Sequence, residues 1–190
     1  MRNVAFHDMK DEEIAQRASK ERFLFGIIVD RYAAALERYI RRMGVGNQED
    51  IHDILQDTFL KTYRNLQQFD MDLKFSSWLY RIAHNETISF FRRTNIRPEA
   101  HYVEDMEKVL ESIRADIDIE KATQRSIDIE QIMNAIQDLE SRLRSIVVLR
   151  YMEQKSYREI SDILHIPEGT VATLLHKAKK RIKTALGQNI

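Results

Sequence analysis

Residues 156–182 read SYREISDILHIPEGTVATLLHKAKKRI, and this stretch predicts two amphipathic helices joined by a tight turn. Ser156 and Glu159 have the spacing of a capping box, in which each residue satisfies a backbone N–H group of the other, so a helix should begin here. It should end near His165, because Pro167 disfavours helical geometry in the residue before it. Pro167 then suits the start of a second helix. The apolar residues of that helix recur at steps of four, three and four: Val171, Leu175, Ala178 and Ile182.

Helix hairpins of this kind are typical of DNA-binding proteins, and the second helix carries suitable charge. After Glu168 it has no acidic residue and five basic ones: Lys177, Lys179, Lys180, Arg181 and Lys183. Basic side chains placed in this way can neutralise DNA phosphates. The earlier outward positions, where base-reading groups normally lie, hold the uncharged Ala172, Thr173 and Leu174. A solvated helix packed on a bundle is therefore the alternative interpretation of this segment.

The composition favours helices throughout the chain. Among 190 residues there are five glycines and two prolines, too few for the turns of a β-sheet protein, so we expect an all-α fold. Cysteine is absent, which excludes a disulfide framework, a thiolate metal site and a cysteine nucleophile, and fits a reducing compartment. We expect no signal peptide and no membrane span. The longest apolar clusters, such as residues 23–29, are far shorter than the roughly 20 residues needed to cross a bilayer.

The formal net charge is zero, but the charges are unevenly distributed. Residues 1–93 have 15 basic and 14 acidic side chains, residues 94–134 have 5 and 10, and residues 135–190 have 10 and 6. We therefore expect two small helical domains, residues 1–95 and 128–190, joined by an acidic linker at 96–127. Apolar residues predict partial helix within the linker: Val109, Leu110, Ile113 and Ile117. One or two further helices are expected over residues 129–149, before the terminal hairpin.

Three helices are predicted in the first domain. The first runs from Phe25 to the glycines at 44 and 46, the second covers residues 49–66, and the third begins near Ser76 after a loop at 67–74. The second helix gathers polar side chains opposite its apolar residues: Asp50, Asp53, Gln56 and Asp57. The third helix places Trp78, Arg81 and Asn85 at helical spacing. An aromatic ring, a cation and an amide on one face can hold unstacked bases by stacking, charge and hydrogen bonds.

Three segments together resemble the sigma factors of bacterial RNA polymerase. They are DILQDTFLKTYRNL at residues 53–66, FSSWLYRIAHNETISFFRR at 75–93, and the terminal hairpin. The resemblance is to the small extracytoplasmic-function group, group 4 of the sigma-70 family, which keeps only the second and fourth conserved regions. It implies a region 2 helical bundle and a region 4 helix-turn-helix. It also implies an alternative sigma factor that binds core RNA polymerase and directs promoter-specific transcription initiation, in an envelope or external stress response.

The resemblance implies roles for three sets of residues. The first set would bind polymerase: Asp50, Asp53, Gln56, Asp57 and Phe59. The second would contact and melt the minus-10, or downstream, promoter element: Lys74, Trp78, Arg81, Asn85, Arg92 and Arg93. The third would read the minus-35, or upstream, element: Ser156, Arg158, Thr170, Ala172, Thr173, Leu174, His176, Lys177 and Lys180. In the family, the loop before the melting helix, here residues 67–73, holds a flipped base.

The chain departs from the family pattern at three positions. Ala172 and Leu174 stand where the reading helix usually carries a lysine and an arginine. Loss of these cations would weaken upstream binding, or packing of Thr173 and Leu174 on thymine methyl groups would change the preferred sequence. His52 stands where an acidic residue is frequent, so one polymerase contact would be absent or pH-dependent. Trp78 also has the alternative role of a simple core anchor.

The partners implied by the resemblance are core RNA polymerase, promoter DNA and an anti-sigma factor. In this group the anti-sigma factor is commonly anchored in the membrane and covers both domains. We expect a cytoplasmic protein, held at the membrane only through that factor. It should have no cofactor, no metal, no small-molecule substrate and no membrane insertion of its own.

Three other classes of protein explain less of the sequence. A helix-turn-helix regulator that is not a polymerase subunit would leave residues 75–93 unexplained. A helical metal hydrolase using His52, Asp53 and Asp57 lacks an HExxH motif, a P-loop and a glycine-rich phosphate cradle, so we expect no enzymatic activity. His84, beside Asn85, is predicted at the helix surface or in contact with nucleic acid. A structural adaptor would not account for both the basic helix and the aromatic-cationic helix.

Overall fold

The computed structural model of the chain describes residues 9–98 and 129–186, and these residues form helices and no strands. Those before the gap form α1 (Asp11–Ala18), α2 (Phe23–Arg42), α3 (Gln48–Asn65) and α4 (Phe75–Thr94). Those after it form α5 (Ile129–Gln137), α6 (Ser141–Val147), α7 (Tyr157–Leu164) and α8 (Glu168–Ala185). A short 3-10 helix, Leu66–Gln68, follows α3, and a π-helical turn, Val148–Met152, continues α6.

The predicted all-α fold with two helical domains is confirmed. We call α1–α4 the first domain and α5–α8 the second. The partial helix expected around residues 109–117 lies outside the described residues. The boundaries at 95 and 128 stay a prediction.

Helix α2 lies at the centre of the first domain because apolar residues recur along one side of it at multiples of four. Leu24, Ile28, Leu36 and Ile40 are fully buried where α1, α3 and α4 pack around it. The helix ends near the predicted position, and the chain turns at Gly44 with a backbone φ of +104°. This turn sends the chain back along α2 as α3.

The sequence patterns missed α1, which is short and has only three buried residues, Ile14, Ala15 and Ala18. Long-range polar contacts hold it against α2. The Arg31 guanidinium donates to a carboxylate oxygen of Asp11 at 2.5 Å, and the Tyr32 hydroxyl donates to the other oxygen. Helix α1 also caps another helix, since Glu12 accepts a hydrogen bond of 2.9 Å from the backbone N–H of Phe75, the first residue of α4.

The terminal hairpin follows its sequence pattern. The capping box is formed: the N–H of Glu159 donates to the Ser156 hydroxyl at 3.2 Å, and the N–H of Ser156 donates to the Glu159 carboxylate at 2.9 Å. Helix α7 ends at His165, which adopts a left-handed conformation with φ of 54°. Pro167 occupies the position just before α8, not its first helical position.

The two domains pack against each other, which the sequence patterns did not predict. Helix α4 of the first domain lies against α7 of the second. The turn after α2 lies close to the second domain as well, since Gln137 donates from its side chain to the backbone carbonyl of Arg42 at 3.3 Å. The terminal hairpin is thus held against the helix that was expected to melt promoter DNA.

Gly44→Ala should destabilise the protein. An added Cβ would lie 2.4 Å from Cβ of Pro98, and φ at this position is one that side chains rarely tolerate. We expect the free energy of unfolding, measured by urea denaturation, to fall by about 1–3 kcal/mol. Gly26→Ala is the matched control, because a Cβ there meets nothing within 4 Å outside the local helix backbone. It should leave stability unchanged or raise it by up to about 1 kcal/mol, and equal losses in both variants would contradict the role of Gly44.

Candidate polymerase and promoter interfaces

The polar side of α3 faces solvent, while its other side is buried in the first domain. The exposed residues of this acidic face are His52, Asp53, Gln56 and Asp57, with Asp50 half-buried beside them. The start of the helix is fixed by Asn47, whose side chain accepts a hydrogen bond of 2.8 Å from the N–H of Glu49. Because the helix is capped and packed, its acidic face presents acceptors in a fixed array that suits a basic protein surface.

An apolar groove of about 500 Å³ lies beside the acidic face, between α2 and α3. It is lined by Arg22, Phe25, Gly26, Val29, Gln56, Phe59, Leu60 and Tyr63. The Phe25 ring packs edge-on against Phe59 and Tyr63, with centroids 6.3 and 5.1 Å away, and Leu60 is 44% exposed. Sequence reasoning found Phe59 but missed the contribution of α2. An exposed apolar groove rimmed by polar residues is typical of a protein-binding surface.

Trp78 is half-buried in an aromatic cluster with Phe69 and Phe75. Its ring centroid lies 5.2 Å from that of Phe69 and 5.8 Å from that of Phe75. Phe69 belongs to the loop before α4, so the cluster ties this loop to the first turn of the helix. Both interpretations of Trp78 therefore keep support: it anchors the loop, and the residue remains partly exposed.

The other residues predicted at the downstream element divide into two groups. Asn85, Arg92 and Arg93 are exposed. Lys74 and Arg81 contact the second domain: the Lys74 ammonium lies 3.0 Å from the Glu159 carboxylate while its side chain stays 66% exposed, and Nε of the half-buried Arg81 donates to the carbonyl of Asp162 at 2.8 Å. The structure thus does not present these six residues as one open face.

His84, predicted at the helix surface or in contact with nucleic acid, is only partly exposed. A hydrogen bond of 2.9 Å joins its Nδ1 to the hydroxyl of Tyr39, so the imidazole bridges α4 and α2 inside the first domain. Burial lowers the pKa of His84 to about 4 and keeps the ring neutral at physiological pH. Adjacency to Asn85 misled the sequence reasoning, because neighbours in a helix point about 100° apart.

The exposed face of α8 differs from the prediction at one residue. Ala172, Thr173, His176, Lys177 and Lys180 are exposed, and Thr170 is half-buried. Leu174 is partly buried against the core and is not one of the outward residues. The Thr173 hydroxyl donates to the carbonyl of Gly169 at 2.9 Å, so its methyl group is the part left for an apolar contact.

At the start of the hairpin, Arg158 is exposed while Ser156 is engaged in the capping box. Burial alone would raise the pKa of Glu159. Hydrogen bonds from the Ser156 backbone and hydroxyl, together with Lys74, outweigh it and hold the pKa at about 2. The capping carboxylate is therefore charged at physiological pH and available to Lys74.

Within residues 9–98 and 129–186, no group of three His, Asp or Glu side chains is placed to hold a metal ion. No helix in those ranges combines the length and apolarity that a membrane span requires.

Known protein families match both domains. Residues 28–96 match the family model of sigma-70 region 2, and residues 129–182 match that of sigma-70 region 4. The chain is 33% identical over 186 residues to the ECF RNA polymerase sigma factor SigW of Bacillus subtilis, covering 94% of this chain and 97% of SigW. It is 31% identical to the ECF RNA polymerase sigma-E factor of Escherichia coli K12, covering 92% of this chain and 93% of that protein.

Solved structures share the fold. CnrH in complex with the cytosolic domain of CnrY has a TM-score of 0.67 at 22% identity, covering 95% of this chain and 99% of CnrH. RpoE of Bartonella quintana, in complex with the anti-sigma factor NepR, has a TM-score of 0.59 at 19% identity, covering 87% of this chain and 98% of RpoE. The two helical domains thus carry the two conserved regions that define a small sigma-70 protein. The chain belongs to the extracytoplasmic-function sigma factors, which bind core RNA polymerase and promoter DNA and direct transcription initiation.

The depressed pKa of His84 predicts a loss of stability in mild acid. Between its folded pKa of about 4 and an unfolded value of about 6.5, the unfolded chain binds a proton that the folded chain does not, so stability falls as pH falls. The free energy of unfolding should drop by about 1–2 kcal/mol from this group between pH 7 and pH 5. His84→Gln keeps a polar partner for Tyr39. In this variant the free energy of unfolding should fall less between pH 7 and pH 5, by that same amount. If the free energy of unfolding fell in parallel with pH in the parent protein and in His84→Gln, the decline could not be assigned to His84.

Proposed function

We propose that residues 1–95 bind polymerase and melt the downstream promoter element, and that residues 128–190 read the upstream element. The protein performs no covalent chemistry; its mechanism is binding that favours the melted promoter. The observation that carries this proposal is the combination on α4 of the Trp78 cluster with exposed Asn85, Arg92 and Arg93. Aromatic rings stack on unpaired bases, amides bond to base edges and arginines neutralise phosphates.

Polymerase attachment is proposed through the acidic face of α3 together with the apolar groove beside it. Asp53, Gln56 and Asp57 would pair with basic groups of the partner, and Phe59 and Leu60 would receive an apolar side chain. This combination of charged rim and apolar centre is common in protein interfaces. Attachment would place both domains near the promoter and raise their effective concentration there.

Upstream reading is proposed through the exposed face of α8. Lys177 and Lys180 would contact phosphates, and His176 together with the methyl groups of Ala172 and Thr173 would face the bases. Leu174 supports the helix from the core side. A surface with the methyl group of Ala172 where the family pattern usually carries a lysine favours thymine-containing sites over guanine.

We further propose that an anti-sigma factor holds this protein inactive in the cytoplasm until an external stress releases it. The sigma factor RpoE of Bartonella quintana, which shares this fold, was solved with the anti-sigma factor NepR, and CnrH, which also shares it, was solved with the cytosolic domain of CnrY. Family membership supports the same kind of regulation here. Binding of a purified partner domain that blocks polymerase association would test it.

Asp53→Arg should weaken association with core RNA polymerase. The substitution replaces an acceptor at the centre of the acidic face with a cation, and an approximately tenfold or larger rise in Kd is expected in a binding assay without DNA. Asp72→Arg is the matched control, because Asp72 is exposed in the same domain but lies outside α3. Equal affinities of the two variants would remove α3 from the polymerase interface.

Asn85→Ala should reduce promoter melting without reducing polymerase binding. The lost hydrogen bonds to an unpaired base would lower open-complex formation by about tenfold, within the 1–3 kcal/mol typical of a base contact. Permanganate footprinting with core polymerase measures melting, and the DNA-free assay measures attachment. Asn134→Ala, an exposed asparagine of α5, is the control. Melting unchanged from wild type would exclude Asn85 from the base-contacting face.

A further inference from the structure

Helix α4 begins without a cap of its own. Lys74 occupies the position before its first residue, with an extended backbone, and its side chain makes no capping hydrogen bond. A lysine ammonium only donates, so it cannot accept from the free N–H groups of the first turn. That turn also has no acidic residue to interact favourably with the positive end of the helix dipole. The start of α4 must therefore be fixed by another element.

Helix α1 supplies the missing cap through Glu12. The Glu12 carboxylate accepts the hydrogen bond of 2.9 Å from the backbone N–H of Phe75. Phe75 has no exposed surface, so loss of the carboxylate would leave a buried donor without a partner, at the cost of its desolvation. A negative charge at this end of α4 is also favourable for the helix dipole. Glu12 thus performs for α4 the task that a capping residue normally performs for its own helix.

The position of Glu12 is itself fixed, because the residue before it is anchored to α2. Asp11 accepts from the Arg31 guanidinium at 2.5 Å and from the Tyr32 hydroxyl. The Tyr32 ring also packs edge-on against Phe75, with 6.0 Å between the ring centroids. Two adjacent carboxylates therefore join the first turn of α1 to two different helices, Asp11 to α2 and Glu12 to α4.

The residue that Glu12 caps lies in the aromatic cluster that includes Trp78. The Phe75 ring centroid lies 5.3 Å from that of Phe69 and 5.8 Å from that of Trp78. Phe69 belongs to the loop that leads to α4, and α1 also packs against the 3-10 helix Leu66–Gln68 that precedes this loop. Helix α1 thus contacts both ends of the loop. A shift of the Phe75 backbone would move the loop and the Trp78 ring together.

We propose that Glu12 is a positioning residue for promoter melting, which caps α4 and thereby holds Trp78 and the preceding loop in the arrangement that receives unpaired bases. This inference rests on the proposed function, since it requires that α4 contacts the melted strand. Glu12 acts through the backbone of Phe75 and does not itself contact DNA. It lies before residues 28–96, which match sigma-70 region 2, so the role adds an element outside the matched segment.

The first test measures the fluorescence of Trp78 in the free, full-length chain, where it is the only tryptophan. Glu12→Ala removes the acceptor, and the emission should shift to longer wavelength with increased quenching by acrylamide. Glu12→Gln keeps a side-chain oxygen of the same reach and should retain the parent spectrum. Glu13→Ala is the matched control, because the Glu13 side chain is 46% exposed and pairs with Arg17 within α1. It should also retain the parent spectrum.

The second test measures promoter melting with core polymerase by permanganate footprinting, at a temperature where circular dichroism shows every variant folded. Glu12→Ala should form about fivefold fewer open complexes, the typical effect of losing a helix cap on the population of the capped arrangement. Glu12→Gln should recover most of this loss. The Kd for polymerase without DNA should not change, since α3 has its own cap. Glu12→Asp shortens the reach by one methylene group and is the milder variant, with both readouts changed in the same direction.

The outcomes distinguish this inference from the proposed function. Unchanged Trp78 emission in both Glu12→Ala and Glu12→Asp would overturn the positioning role. Equal losses of melting and of polymerase binding would show a general effect on stability and would overturn it as well. If Asn85→Ala impairs melting and Glu12→Ala does not, the positioning role alone fails. If neither variant impairs melting, the assignment of α4 to the promoter fails too. A shifted emission with a melting loss that Glu12→Gln restores supports the proposal.

Discussion

The packing of α4 on two sides is the constraint on which the rest of the structure depends. Phe75, Leu79 and Ala83 are buried against α2 and α3, which fixes the helix in the first domain. Tyr80 lies on another side and meets Glu153 of the second domain. A helix buried from one side and contacted from another has little free surface left. How much of α4 is accessible is therefore set by the position of the second domain.

Local sequence signals predicted most of the helices, because each carries its own start, stop and periodicity. Ser156 and Glu159 marked a real capping box, and Gly44 marked a real turn. Helix α1 was missed because its apolar face has only three residues, Ile14, Ala15 and Ala18, and its polar contacts join Asp11 to Arg31 and Tyr32, some 20 residues away. Contacts between residues so far apart in the sequence produce no periodic pattern that a single sequence would show.

The candidate sites were predictable only where they depend on a single helix and not on contacts between distant segments. Exposure of Asp53, Gln56 and Asp57 followed from the phase of α3, but the groove beside them needed the relative placement of α2. The meeting of Arg42 with Glu153, 111 residues apart, could not be found from either segment alone. The partial burial of His84 against Tyr39 was missed because periodicity alone does not show which partner helix each side of α4 faces.

The contact between the two domains is polar, and this has a physical consequence that an apolar contact would not have. If the two domains met through a large hydrophobic surface, opening would expose that surface and invite aggregation. The polar groups that meet here satisfy one another while the domains are packed, and they are readily hydrated when the domains separate. These groups belong to Arg42, Glu153 and Tyr80. The formal net charge of the chain is zero. Because there is no excess of cations, the free chain has little long-range attraction to DNA.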